Sequence, residues 1–247
     1  MDNNTILVTG AYGGLGRAIV RKLLNKGYSV AAIGKDKEKL YDQFGNLQNC
    51  SYFCSDLLSD NAIEGLINEV IDKKGPLRGI VHCAGYSKVM PLYLNKWEEV
   101  EKLFSIHVFA AISLCKQIAR KGNAVENCSI VLISSISAHE GASGNSAYSA
   151  AKGALEGFLP SAASEFADKN IRINVIIPGD INTSMRQKFI SKISEEDIKK
   201  RENSYPFGIG EPDDIANLAA FIISDESRWI TGQTLIADGG HMIRKIY

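Results

Sequence analysis

The sequence predicts an α/β fold, a doubly wound parallel sheet of about seven strands with helices on both faces. Short apolar runs alternate with segments of helical periodicity from one end to the other. Several of those runs are near-continuous in Val, Ile and Leu, as strands covered on both faces of a parallel sheet require. No repeat, linker or low-complexity stretch interrupts the alternation, so residues 1–247 are expected to form one domain. A chain of this length buries a substantial core.

The elements follow in order. Residues 5–9 form the first strand, entered directly from Met1-Asp2-Asn3-Asn4 without a basic leader or cleavage site. Residues 15–26 carry apolar side chains at 3.6-residue spacing and form the first helix. Strands are expected at 29–33 and 51–54, with a helix at 62–73 before a fourth strand at 79–83. Further strands are expected at 129–134, 172–177 and 234–237. A helix begins near Tyr148 and contains Pro160, which removes one backbone hydrogen bond and predicts a kink. Ligands of such sheets bind beyond the carboxyl ends of the strands.

Bulk properties exclude several classes. Lys+Arg and Asp+Glu both number 28, so no global field favours nucleic acid or an anionic membrane. No apolar run approaches the ~20 residues of a membrane span. The five cysteines (Cys50, Cys54, Cys83, Cys115, Cys128) are scattered, without a CxxC or paired histidines. They read as reduced buried thiols of a cytoplasmic protein and argue against a structural zinc site, so no metal is expected.

The chemistry concentrates in Tyr148-Ser149-Ala150-Ala151-Lys152, with Ser135 thirteen positions upstream. Four residues apart on a helix, the phenol and the ammonium share a face. A cation beside a phenol favours the phenolate and lowers its pKa from ~10. Reaching about 7 requires roughly 4 kcal/mol of differential stabilisation. The product is a proton donor suited to carbonyl reduction at neutral pH.

At the other end, Thr9-Gly10-Ala11-Tyr12-Gly13-Gly14-Leu15-Gly16 leads from the first strand into the first helix. Glycines at 10, 14 and 16 allow a tight turn and close approach of a pyrophosphate to the helix N-terminus. The spacing is G-x3-G-x-G, and a glycine turn with no ligand is the bland alternative. Asp56 either accepts from an adenine amino group or caps the helix that starts near Asp60. Small residues in His82-Cys83-Ala84-Gly85 let a cofactor pass. In Ile33-Gly34-Lys35-Asp36 the position that would hold a ribose-binding carboxylate is glycine, followed by Lys35. This favours NADP(H), with NAD the alternative because Asp36 could reach back and Lys35 could be a plain surface lysine.

Taken together, these motifs resemble the short-chain dehydrogenase/reductase family in its single-domain, Rossmann-like branch. The similarity covers residues 5–240 and includes Pro178-Gly179-Asp180-Ile181-Asn182-Thr183 and the Thr231-to-Gly240 tail. The tail is similar to that of 3-oxoacyl-[acyl-carrier-protein] reductases. The resemblance implies that Tyr148 protonates the carbonyl oxygen, Ser135 hydrogen-bonds it, and Lys152 assists Tyr148 and holds the nicotinamide ribose. It implies cofactor contacts from Gly10, Tyr12, Gly14, Leu15, Gly16, Lys35, Asp56, Leu57, Ala84, Gly85, Tyr148, Lys152, Pro178, Gly179, Ile181 and Thr183. Ser135 as a turn serine and Thr183 as a helix N-cap are the alternatives.

The chain departs from the family pattern at His107, where an Asn that anchors a proton-relay water is usual. His107 either substitutes in the relay or is a satisfied core histidine. His82 replaces another common Asn, and Tyr12 a usual small polar residue. The resemblance also implies a homodimer or homotetramer, for which Leu155, Phe158 and Leu159 are candidate contacts unless they pack on the sheet. The 90–93 loop and the charged 184–205 segment are expected to wall the substrate site, the latter as a mobile lid. His139 and Asn145 either touch substrate or lie in a solvent-facing loop. The implied substrate is a small-molecule or carrier-linked ketone: a 3-oxoacyl thioester first, then a sugar or small polyketide ketone. A non-catalytic NADP-binding sensor is the rival from another class.

Overall fold

The computed structural model describes residues 4–243, so Met1–Asn3 and the last four positions lie outside the described residues. Strands β1 (Thr5–Thr9), β2 (Ser29–Gly34), β3 (Cys50–Cys54), β4 (Leu77–His82), β5 (Ala124–Ile133), β6 (Arg172–Pro178) and β7 (Thr234–Ala237) form one sheet. Its order is β3-β2-β1-β4-β5-β6-β7, and every pairing is parallel. The direction of winding reverses between β1 and β4. That switch point opens a crevice at the carboxyl ends of the strands.

Helices α1 (Gly14–Asn25), α2 (Lys37–Phe44) and α9 (Pro212–Ile223) cover one face. Helices α3 (Asp60–Lys74), α5 (Ala110–Ile118) and α6 (Ser146–Ala167) cover the other. Successive strand side chains point to opposite faces. In β1, Ile6 and Val8 therefore enter the α1/α9 layer while Leu7 enters the α3/α5/α6 layer. All three are fully buried, which is why the strand reads as an unbroken apolar run.

Helix ends follow their capping chemistry. Ser59 caps α3 by accepting from the Ala62 amide at 3.3 Å, and Asp36 caps α2 by accepting from Lys39 N at 3.1 Å. Asp56 is thus not the cap of α3. Gly75 closes α3 at φ +79°, where its amide donates to Ile71 O. Pro212 opens α9 inside a Glu211/Asp214 capping box. Helix α6 runs on through Pro160 to Ala167. Leu155 and Leu159 are buried against the sheet and Phe158 packs beside them, so the first two are not interface residues.

Between α4 (Trp97–Phe104) and α5, residues Ser105–Phe109 form one wide π-helical turn. Such turns re-aim side chains and carbonyls, and here the turn carries His107. The 184–205 segment folds as α7 (Ser184–Ile190) and α8 (Glu195–Asn203). Among the described residues no helix is long and apolar enough to cross a membrane, and no cluster of His, Cys, Asp or Glu could hold a metal.

Candidate active site

The carboxyl end of β5 and the first turns of α6 bring Ser135, Tyr148 and Lys152 together. Lys152 is 6% exposed, and its Nζ donates to the Ile133 carbonyl at 2.7 Å. Burial lowers its pKa to about 8. Tyr148 is also buried, with the Ser135 side chain near its hydroxyl. Its pKa is raised above 10: desolvation is the larger cause, and the Ser135 hydrogen bond opposes it. The lysine therefore does not by itself supply the lowering expected from the spacing. Lys152 Nζ lies 5.8 Å from the centre of the Tyr148 ring and gives one of its three donors to Ile133 O. Burial therefore decides the direction, and the phenol keeps its proton at neutral pH.

Ser135 also has the local role of a turn serine. Its Oγ accepts from the Ser137 amide at 3.2 Å and caps the short turn Ile136–Ala138. Behind it, Ser134 Oγ donates to Glu156 Oε1 at 2.9 Å, and Glu156 Oε2 lies 2.8 Å from His139 Nε2. One turn beyond Lys152 on α6, Glu156 thus clamps the serine loop to the helix that carries Tyr148. His139 is taken up by this clamp. Asn145 Oδ1, just before α6, is buried without a hydrogen-bond partner among the described residues.

Two histidines stand behind the tyrosine. His82 Nε2 donates to Ile106 O at 3.1 Å, so its Nδ1 is the acceptor for the Thr9 hydroxyl at 2.9 Å. The Ala84 amide donates in turn to Thr9 Oγ1. His107 Nε2 donates to Tyr86 O at 2.9 Å, and its ring meets Tyr148 edge-on with centroids 5.4 Å apart. Burial first and the Lys152 charge second lower both pKa values, that of His82 to about 4 and that of His107 well below 6.5. Both imidazoles are neutral at physiological pH. His107 Nδ1 is buried without a hydrogen-bond partner among the described residues, and the Nδ1–Cε1 edge of its ring faces Gly85.

The glycine turn fits a nucleotide. Gly10 adopts φ +63°, and a Cβ there would stand 2.8 Å from Ala84 Cα. On Gly16 a Cβ would run into Gly10 O, and on Gly14 it would stand 3.0 Å from Thr183 Cγ2. The turn and the 178–183 segment thus face each other across a gap that only backbone and hydrogen atoms leave open. No side chain caps α1 at Gly13, so its first-turn amides, including those of Leu15 and Gly16, suit a pyrophosphate. Lys35 and Asp56 are exposed at the ends of β2 and β3, while Leu57 is buried in the core. The carboxylate of Asp36 accepts from Lys39 N at 3.1 Å and pairs with Lys39 Nζ at 2.9 Å.

Pro178 and Gly179 end β6, and Ile181 pairs with Gly210. Thr183 is the N-cap of α7, accepting from Arg186 N at 3.4 Å, while its methyl faces Gly14. Asp180 anchors the lid. Arg201 grips its carboxylate with Nε at 2.6 Å and Nη2 at 2.8 Å, and Tyr205 Oη accepts from its amide. Arg201 also lies 3.4 Å from Glu140, which sits five residues after Ser135 and is 2.5 Å from His241 Nε2. Arg186 pairs with Glu202 at 2.7 Å, and His241 stacks on Tyr205 at 4.3 Å. The lid is therefore bolted to both the serine loop and the C-terminal segment. Its arginines are consumed by carboxylates rather than held out to an anionic substrate.

Sequence reasoning missed the Glu156 clamp, the Glu140–Arg201–Asp180 knot and the packing of Tyr12 on Gly34. The only available signal was a surplus of charge after Thr183 and of polar residues after Ser135.

A family model described as "Enoyl-(Acyl carrier protein) reductase" matches residues 10–242. Carbonyl reductase family member 4 of Xenopus laevis is 34% identical over 94% of this chain and 95% of its own. The 3-oxoacyl-[acyl-carrier-protein] reductase of Mus musculus is 34% identical over the same shares. The solved structure of a short-chain type dehydrogenase/reductase from Mycobacterium ulcerans superposes with TM-score 0.90 at 29% identity, covering 98% of this chain and 90% of that one. The chain belongs to the short-chain dehydrogenase/reductase family of nicotinamide-dependent oxidoreductases.

Proposed function

We propose that this protein is an NADP(H)-dependent ketoreductase that interconverts a carbonyl and a secondary alcohol, with 3-oxoacyl thioesters as its first substrate class. The observation that carries the reading is Ser135 and Tyr148 beside a buried lysine, with His107 edge-on to Tyr148 and against Gly85 at the strand ends. When bound, the nicotinamide cofactor supplies hydride to the carbonyl carbon. Tyr148 gives its proton to the carbonyl oxygen, and its raised pKa keeps that proton in place beforehand. Ser135 donates a hydrogen bond to the same oxygen as negative charge develops on it. Lys152, with a pKa of about 8, is mostly protonated at pH 7 and stabilises the phenolate left behind. The neutral His107, with Nδ1 open as an acceptor, takes the place of the family's usual Asn in the proton relay in this reading.

Gly34, Lys35 and the occupied Asp36 support NADP over NAD. Gly10, Tyr12, Gly14, Leu15, Gly16, Asp56, Leu57, Ala84, Gly85, Pro178, Gly179, Ile181 and Thr183 complete the cofactor site in this reading. The whole chain acts as one domain, in a cytoplasmic setting where its five free cysteines stay reduced. It pairs with copies of itself through the exposed Phe109 and Ile112 of the π turn and α5. The curated relatives named as carbonyl and 3-oxoacyl reductases support the substrate class.

The test is NADPH oxidation across 3-oxoacyl thioesters, sugar ketones, diketones and an enoyl thioester, with NADH and a Tyr148→Phe variant in parallel. Turnover of the oxoacyl thioester should fall at least about 100-fold in the variant. Turnover confined to the other ketones moves the substrate class, and turnover of the enoyl thioester alone rejects carbonyl reduction. Cofactor binding without turnover of any substrate points to a sensor.

A further inference from the structure

The end of β2 holds an arrangement that the reaction chemistry leaves unexplained. Gly34 is fully enclosed, and the ring of Tyr12 stands directly on it. A Cβ at position 34 would lie 2.5 Å from Tyr12 Cε1 and 2.7 Å from Cδ1, with Leu40 Cδ2 behind it at 3.3 Å. Tyr12 is held there by its neighbour, because the Ala11 amide donates to Ile33 O at 3.0 Å and ties the glycine turn to the strand end. On the outer side, Lys39 Nζ lies 5.7 Å from the centre of the Tyr12 ring. Asp36 holds Lys39 from the opposite side through an ion pair of 2.9 Å.

The end of the second strand is where a carboxylate selects the 2′-hydroxyl of an NAD ribose in sheets of this class. Here that space belongs to an aromatic ring contributed by the glycine turn. We propose that Tyr12 is a specificity-determining residue for the cofactor. Its ring fills the space a side chain at position 34 would take and carries the Lys39 ammonium on its outer side, so that this strand end accepts a 2′-phosphate rather than a free hydroxyl. Tyr12 and Gly34 then form one unit: the tyrosine demands the glycine, and the glycine alone does not decide the preference. The inference rests on the nucleotide site assigned above and deepens it.

The experiment is a double-mutant cycle on the purified full chain, with Gly34→Asp, Tyr12→Ser and the two combined. Dissociation constants for NADP and NAD are read by calorimetry, without any ketone substrate. Thermal midpoints are taken on the same samples. With Tyr12 intact, Gly34→Asp should leave NAD affinity within about threefold, because the carboxylate cannot seat. Combined with Tyr12→Ser, it should raise NAD affinity about tenfold or more, the scale of a hydrogen bond to a charged group. Lys39→Ala should weaken NADP about fivefold and leave NAD unchanged, as an exposed charge contact does.

An equal gain in NAD affinity from Gly34→Asp with and without Tyr12 overturns the proposal. A Gly34→Asp chain that folds only when Tyr12→Ser accompanies it shows the same exclusion in stability and supports it. If neither aspartate variant folds, Tyr12→Ser and Lys39→Ala alone decide. An unchanged NADP-to-NAD ratio in both overturns the proposal, and a fall of about fivefold in each supports it. The wild-type ratio separately tests the NADP reading, whereas the coupling between positions 12 and 34 is read whichever cofactor the wild type prefers.

Discussion

Gly85→Ala tests the packing behind the candidate catalytic tyrosine. A methyl group at position 85 would stand inside the His107 ring, with Nδ1 at 2.5 Å, so the imidazole must leave its place. Overfilling a packed interior costs about 1–3 kcal/mol. Displacing the ring also breaks its hydrogen bond to Tyr86 O, worth about 1 kcal/mol. The loss is therefore about 2–4 kcal/mol. Unfolding entropy for a chain of 247 residues is about 0.5 kcal/mol/K, which makes the drop in thermal midpoint about 4–8 °C. Calorimetry of the cofactor-free protein reads it directly. A second variant isolates the ring clash: His107→Ala empties the space that the methyl needs, so Gly85→Ala should cost less in that background, the remainder being the strain of a side chain at φ +159°. A midpoint shift within about 1 °C, or an equal cost in both backgrounds, refutes the reasoning.

The remaining predictions concern the charges and hydrogen bonds around the site. Lys152 has a folded pKa of about 8, below its unfolded value near 10.5, so between these pH values the unfolded chain binds more protons. The difference in stability between wild type and Lys152→Met should shift towards wild type as pH rises from 8 to 10, by on the order of 2–3 kcal/mol. A flat difference means that Lys152 is not held in a desolvated state. Arg201→Ala removes the bidentate grip on Asp180 and should speed amide exchange across α7 and α8 at least about tenfold, leaving β4 unchanged. Equal exchange in the two proteins rejects the knot as the fastening of the lid. His107→Ala should lower turnover at least about tenfold while NADPH affinity stays within about threefold, and unchanged turnover removes His107 from the proton path.

The sheet was legible because burial on both faces writes itself as Val/Ile/Leu runs, and β1 and β7 match the predicted bounds at both ends. Strand β5 begins five residues earlier than its apolar run. Its first stretch includes exposed Glu126 and Asn127, the latter at φ +61°, so neither composition nor alternation marks it. The π turn at Ser105–Phe109 carries no local signature, since one extra residue in a helix changes its geometry without changing residue type. Within the site, the Tyr148/Lys152 spacing correctly placed two side chains on one helix. It could not reveal that Ile133 O, nineteen residues upstream, holds the lysine, nor that desolvation dominates the phenol. The lid behaves the same way. Glu140, Asp180, Arg201 and His241 are far apart in sequence, and only the topology of β5 and β6 brings them together.

The strand order also bears on how the chain is made. The first three strands lie side by side at one edge of the sheet, so they emerge from the ribosome as a contiguous unit with α1 and α2, two of the three helices that cover one face. The other edge of β1 pairs only with β4, which is synthesised after α3. Until then a strand with the apolar centre Ile6-Leu7-Val8 presents unpaired backbone to its surroundings, the condition under which nascent chains associate wrongly. Everything that touches Tyr148 arrives later still. Arrest-peptide force profiles should therefore show one release of tension after β4 clears the tunnel and another after β6. A single event late in the chain would mean that the nucleotide half waits for the catalytic half.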